Sequence, residues 1–164
     1  MFTQFERDHI YSCKIKIENL VEEKGIPKIN FSVIAGGVFV SFLRDEDYKD
    51  IDVFVFHNMM SYTLTHNSIL QNNSQYLKSQ NKNITGVFLD DVKKINTIFT
   101  KYSSRKELID DFDYSHCCVS YDFNKLYITP QTYKAIMNKK LIVNNSNSIS
   151  EHRKQKFKKR GFVE

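Results

Sequence analysis

Apolar residues at Ile10, Cys13, Ile17, Leu20 and Val21 follow the three-and-four spacing of an amphipathic helix, and Gly25 and Pro27 supply its stop. A first helix is therefore predicted from Phe5 to Lys24. Phe31 to Ala35 reads as a short buried strand, Val38 to Leu43 as a helix after a glycine turn, and Ile51 to Phe56, rich in β-branched and aromatic residues, as a second strand. The order is helix, strand, helix, strand.

Residues 58 to 84 are rich in Asn, Ser and Gln, with a weak helical stripe at Ile69, Leu70, Tyr76 and Leu77, and one helix is predicted there before a polar stretch near Asn81 to Asn83. Val87 to Leu89 and Ile95 to Tyr102 flank the Asp90-Asp91 turn as a hairpin. Ser103 or Ser104 opens a helix through Ile109, with Glu107 at the capping-box spacing. Strands are predicted over Phe112 to Tyr121 and Leu126 to Ile128, a helix from Pro130 to Asn138 with proline in its first turn, and a final basic helix over His152 to Lys159. Asn144 to Ser150 reads as a linker to that helix, and no internal repeat is visible.

With 164 residues, 41% hydrophobic and 13% aromatic, the chain can bury a core, which excludes disorder for most of it and predicts a single domain over 1–164 with a basic C-terminal helix at about 150–164. The first residues lack a signal pattern and no apolar run reaches the roughly 18 residues needed to span a bilayer, so a cytoplasmic protein without a membrane partner is expected. Cys13, Cys117 and Cys118 cannot all pair, which points to a reducing compartment. A zinc site from His116, Cys117 and Cys118 would lack a second ligand pair, so core thiols are the better reading. The histidines read as structural, with His9 and His152 as solvated helix residues and His57, His66 and His116 without a partner that would make them bases. The net charge of +5 concentrates between Arg153 and Arg160, a run that can bind phosphates, and Phe157 and Phe162 could dock that segment on the core.

The candidate chemistry lies between Ile34 and Phe56. In a strand alternate side chains share a face, so Asp50 and Asp52 point the same way while Ile51 and Val53 point into the protein. Two such carboxylates suit a divalent cation. Gly36-Gly37, at the start of the preceding helix, lets backbone amides approach an anion. Two-metal nucleotidyl transfer needs a further acid, and Asp113, read at the start of a strand between Phe112 and Tyr114, is the best candidate.

The apolar strand, Gly36-Gly37, twelve intervening residues, Asp50-Ile51-Asp52-Val53 and the later Asp113 resemble the active-site signature of the DNA polymerase β-like nucleotidyltransferase superfamily over about residues 31 to 123. Phe112 to Asp122, Leu126-Tyr127-Ile128-Thr129-Pro130 and the terminal Arg153, Lys156 and Arg160-Gly161-Phe162 are similar to small stand-alone members of phages and large viruses. The resemblance implies an α+β nucleotidyltransferase fold with a mixed central sheet and flanking helices, expected on one side. It implies that Asp50 and Asp52 ligate two magnesium ions, for which manganese could substitute, and that Asp113 completes the site and helps deprotonate the acceptor. Gly36, Gly37 and Ser41 would bind the nucleoside triphosphate, and Lys154, Lys156, Lys158, Lys159 and Arg160 the acceptor.

The implied activity is transfer of a nucleoside monophosphate, AMP above all, from a nucleoside triphosphate to an acceptor hydroxyl on RNA or tRNA, a protein side chain or a small molecule, among which the sequence does not select. Ala35-Gly36-Gly37 is similar to the CCA-adding and poly(A) polymerase branch, but Val40-Ser41 stands where that branch carries an Arg-Asp pair. The long helical body with which those enzymes hold tRNA is not evident, so CCA addition is not the expected activity. The alternative is an inactive member that binds nucleic acid or a host protein. Oligomeric state is not indicated.

Overall fold

In the computed structural model, which describes residues 1–28, 30–57, 75–77 and 81–164, helix α1 (Gln4–Lys24) begins at Thr3. The Thr3 hydroxyl accepts from the Glu6 amide at 3.1 Å and Glu6 Oε1 accepts from the Thr3 amide at 2.9 Å, a reciprocal cap. The helix ends at Gly25, whose φ of 63° lies in the left-handed region. Its predicted stripe, Cys13, Ile17, Leu20 and Val21, is buried.

Strand β1 (Ser32–Ala35), helix α2 (Gly37–Leu43) and strand β2 (Ile51–Val55) follow within a residue or so of their predicted bounds. β1 and β2 are antiparallel, with Ala35 opposite Asp52. The predicted hairpin forms from β4 (Ile84–Asp90) and β5 (Ile95–Thr100), and Asp90 Oδ1 accepts from the Val92 and Lys93 amides in its turn. β5 lies parallel to β2 and sets Asn96 opposite Asp52. β3 (Gln75–Leu77) pairs with β4, so Tyr76 and Leu77 belong to a strand and not to the predicted helix. Tyr76 faces Phe88 across the strands with ring centroids 5.1 Å apart, a cross-strand pair that sequence spacing does not reveal. The remainder of that predicted helix, with Ile69 and Leu70, and also His66, lies outside the described residues. β6 (Ser120–Tyr121) and β7 (Leu126–Tyr127) complete a mixed sheet ordered β3-β4-β5-β2-β1-β6-β7.

Strand alternation divides the core. Ile34, Ile51 and Val53 pack in one cluster with the buried residues of α1 and α2 and with Tyr133 and Ile136 of α4 (Pro130–Met137). Val33, Ala35, Phe54 and Phe56 pack with Leu108 of α3 (Arg105–Asp110). Helices therefore cover both faces, a correction to the one-sided arrangement expected. α3 begins at Ser104, whose hydroxyl accepts from the Glu107 amide, while Glu107 reaches back to the Ser103 amide.

Two predicted segments fold differently. Phe112 to Tyr121 is a strand only at β6, because its backbone is taken up locally by a 3-10 turn over Ser115–Cys117. Just before that turn the Asp113 carboxylate accepts from the Tyr114 amide, and the Ser115 amide at its start donates to the Ile142 carbonyl. The Asn144 to Ser150 stretch is no free linker. Asn144 Nδ2 donates to the Ile109 and Phe112 carbonyls at 2.8 Å each, and Ser148 Oγ bonds Asp111. Helix α5 (Glu151–Lys159) then starts at Ser150, and Phe157 and Phe162 pack with Tyr114, Cys117 and Leu141, which docks the basic segment on the core. Among the described residues no helix is long and apolar enough to cross a membrane.

Candidate functional site

A cleft of about 980 Å³ opens on the sheet face that carries Asp52 and Phe54. Gly36, Gly37, Ser41, Asp50, Asp52 and Asp113 all line it, as do Lys156 and Arg160 from the basic helix. Strand alternation puts Asp52 on this face because Ile51 and Val53 are buried, at 0% and 5% exposure, on the other. The chain approaches through Gly36 (φ 95°, ψ −140°), and a Cβ there would lie 3.9 Å from Asp52 Oδ2. The glycine turn and the carboxylate thus share one wall, and Ser41 Oγ donates to the Asp47 carbonyl beside them.

Burial pushes the Asp52 carboxyl up to about 6, and neighbouring Asp50 pushes the same way, against the Asn96 amide that donates to Asp52 Oδ1 at 2.9 Å. Asn96 is therefore part of the site, although nothing in its local sequence marks it. Only the parallel register of β2 and β5 brings it there.

Asp113 occupies a different role from the one its neighbours suggest. It is 3% exposed and ion-paired to Arg153, with Nε to Oδ2 at 2.5 Å and Nη2 to Oδ1 at 3.2 Å. With the Tyr114 amide also bonded, both Asp113 oxygens accept from protein donors. The cationic run also divides. Lys154 and Lys158 pair with Glu164 outside the cleft, whereas Arg153, Lys156 and Arg160 line it. Their spacing of three and four was the available signal.

His9 is not simply solvated, since its Nδ1 lies 2.7 Å from the Tyr133 hydroxyl. His116 is 2% exposed, packed 4.4 Å from Phe157 and 4.3 Å from Phe162 by ring centroid, and neither ring nitrogen has a partner among the described residues. Burial lowers its pKa to about 4, with Asp113 acting in the opposite sense. The unfolded chain takes up this proton below about 6.5, so the stabilising share of neutral His116 is lost as pH falls from 6.5 towards 4. Asp52 works oppositely: its folded pKa of about 6 exceeds 3.8, so its share falls as pH rises through that interval. His116→Phe should therefore gain in melting temperature relative to wild type as pH is lowered from 6.5 to 4.5. A pH-independent difference would contradict the neutral buried imidazole.

The donor set fits magnesium of a particular kind. Magnesium is commonly held by one or two carboxylates plus the phosphates of its substrate, and Asp50 and Asp52 are hard oxygen donors on one cleft wall. Among the described residues no group of three or more His, Cys, Asp or Glu side chains could by itself hold a metal ion. The three cysteines are unpaired, and burial raises each thiol to about 12, which suits core thiols.

The chain is similar to the solved Thermotoga maritima CCA-adding enzyme complexed with tRNA, with a TM-score of 0.54 and 16% identity over 81% of this chain and 32% of that one. A tRNA nucleotidyltransferase complexed with a primer tRNA and an incoming ATP analog is similar at a TM-score of 0.52 and 15% identity, over 79% of this chain and 39% of that one. The chain thus spans about a third of the length of these proteins, and the likeness establishes a nucleotidyltransferase-like fold. No curated protein sequence matches it. The Gabija anti-defense 2 (Gad2) family profile matches residues 5–139, from the first helix through the glycine turn, Asp50, Asp52 and α4, so the chain belongs to the Gabija anti-defense 2 family.

Proposed function

We propose that this protein is a magnesium-dependent nucleotidyltransferase that moves a nucleoside monophosphate, AMP above all, from a nucleoside triphosphate to an acceptor hydroxyl. The observation that carries this reading is the shared cleft wall on which Asp50 and Asp52 stand beside the Gly36-Gly37 turn. The acceptor oxygen bonds to the α-phosphorus as the bond to pyrophosphate breaks, and the hydroxyl proton is lost to solvent. Asp50 and Asp52 would hold the ion, which supplies charge neutralisation on the transferred phosphoryl. Gly36 and Gly37 allow the triphosphate to approach the backbone, with Ser41 one turn further along α2. Asp113 acts by anchoring Arg153.

RNA or a host protein is the proposed acceptor class. The family's description, which speaks of anti-defense against Gabija, favours a component of that defence apparatus. A second reading, a non-catalytic binder, is favoured by two observations: Asn96 and not an acid stands opposite Asp52 on β5, and Asp113 is held by Arg153. Incubation with each labelled nucleoside triphosphate, magnesium and either total RNA or host lysate separates the two. Label on one acceptor class is expected, and tight acceptor binding without any transfer would establish the binder.

The glycine turn offers a second test. A Cβ at Gly37 meets nothing within 4 Å, so Gly37→Val should fold with little loss of stability. It should lower nucleotide affinity by about tenfold or more, because a branched side chain occupies the space of backbone approach. Unchanged nucleotide binding by calorimetry would place the triphosphate elsewhere.

A further inference from the structure

Arg153, Lys156 and Arg160 stand at positions i, i+3 and i+7 along α5 and its C-cap, so they share one side, and all three line the cleft. Arg153 is neutralised by Asp113. Among the described residues no carboxylate lies within ion-pair distance of Lys156 or Arg160, whereas the outward Lys154 and Lys158 are paired to Glu164. Lys49, immediately before Asp50, adds to the same cleft another cation that has no ion pair among the described residues.

These cations work against one another. Lys156 is held below the ordinary lysine value, first by burial and then by Arg160, Arg153 and Lys49, with Asp50 only partly offsetting them. Like charges gathered in a partly desolvated cleft repel, and an anion placed among them removes that cost. Beneath the same helix His116 lines the cleft at 2% exposure, and neither ring nitrogen has a partner among the described residues. A buried imidazole ordinarily has a partner, and a neutral one can donate one N–H to a phosphate oxygen.

We propose that the inner side of α5, through Lys156 and Arg160 with Lys49 opposite and His116 beneath, binds the polyphosphate of a nucleoside triphosphate. This rests on the donor reading given above and reassigns Lys156 and Arg160 from the acceptor to the donor. The phosphate chain then lies between these cations and the Asp50–Asp52 wall, and only the outer lysines remain for an acceptor.

Calorimetric titration of wild type, Lys156→Gln/Arg160→Gln and the outward control Lys154→Gln/Lys158→Gln tests it, using tripolyphosphate, ATP, AMP and a single-stranded RNA oligonucleotide at fixed magnesium and salt. The inner pair should weaken tripolyphosphate and ATP at least tenfold and leave AMP within twofold, while the outer pair leaves all three unchanged. Relief of repulsion means that the inner variant should melt no lower than wild type, which controls for misfolding. Equal effects of inner and outer pairs, equal losses for AMP and ATP, or loss confined to RNA would overturn the assignment. Wild type that binds tripolyphosphate but not ATP would retain the polyphosphate wall and remove the donor reading. Wild type that binds ATP with the inner variant unaffected would do the reverse, and failure to bind either ligand would remove both.

Discussion

Asp52→Asn should melt at or slightly above the wild-type temperature near neutral pH when no ligand is added, yet lose nearly all stabilisation by magnesium with nucleoside triphosphate. Burial and the charge of Asp50 both disfavour the ionised Asp52, so removing its charge relieves the empty site. The hydrogen bond with Asn96 can persist, because an amide oxygen still accepts from Nδ2. A ligand at a hundred times its dissociation constant stabilises the folded state by about 2.7 kcal/mol, and this increment should vanish with the carboxylate. Transfer should fall by about a thousandfold or more, in line with the loss of a group that stabilises developing charge. Magnesium alone should shift the wild type little, since two carboxylates need the substrate phosphates to complete coordination. Below about pH 6 protons compete for Asp52, so the ligand-induced shift should shrink in the wild type. Equal ligand-induced shifts in wild type and Asp52→Asn would remove Asp52 from the site.

Arg153→Met should be the most destabilising loss of a single charge in the basic helix. It leaves the Asp113 carboxylate, 3% exposed, with the Tyr114 amide but without its cation. Removing one partner of a fully buried pair costs about 3–5 kcal/mol. The Arg153 side chain is 42% exposed, so water screens the pair, and about 2–3 kcal/mol is the appropriate expectation. Adding Asp113→Asn removes the stranded charge and should restore most of the loss. Urea denaturation measures both variants, and a double variant no more stable than Arg153→Met would show that the ion pair does not anchor α5.

The local half of this protein was written in its residue pattern. The α1 stripe from Cys13 to Val21, the alternation that buries Ile51 and Val53 while leaving Asp50 and Asp52 on one wall, and the glycine turn each arise from contacts or dihedral preferences within a few residues. Periodicity reports such features directly, and so the fold class and the central carboxylate pair were legible. What joins distant segments was not. The fate of Asp113 depends on Arg153, forty residues later, and on the Asn144 and Asn145 amides, which both donate to the Asp113 carbonyl. Asn96 enters the site only through the parallel register of β2 and β5, and a one-residue slip would point it away. The basic run looked uniform because composition counts charges without regard to facing. Docking Phe157 against Tyr114 and Cys117 turned Lys156 and Arg160 into the cleft and left Lys154 and Lys158 to Glu164, a division that only the packed helix could make.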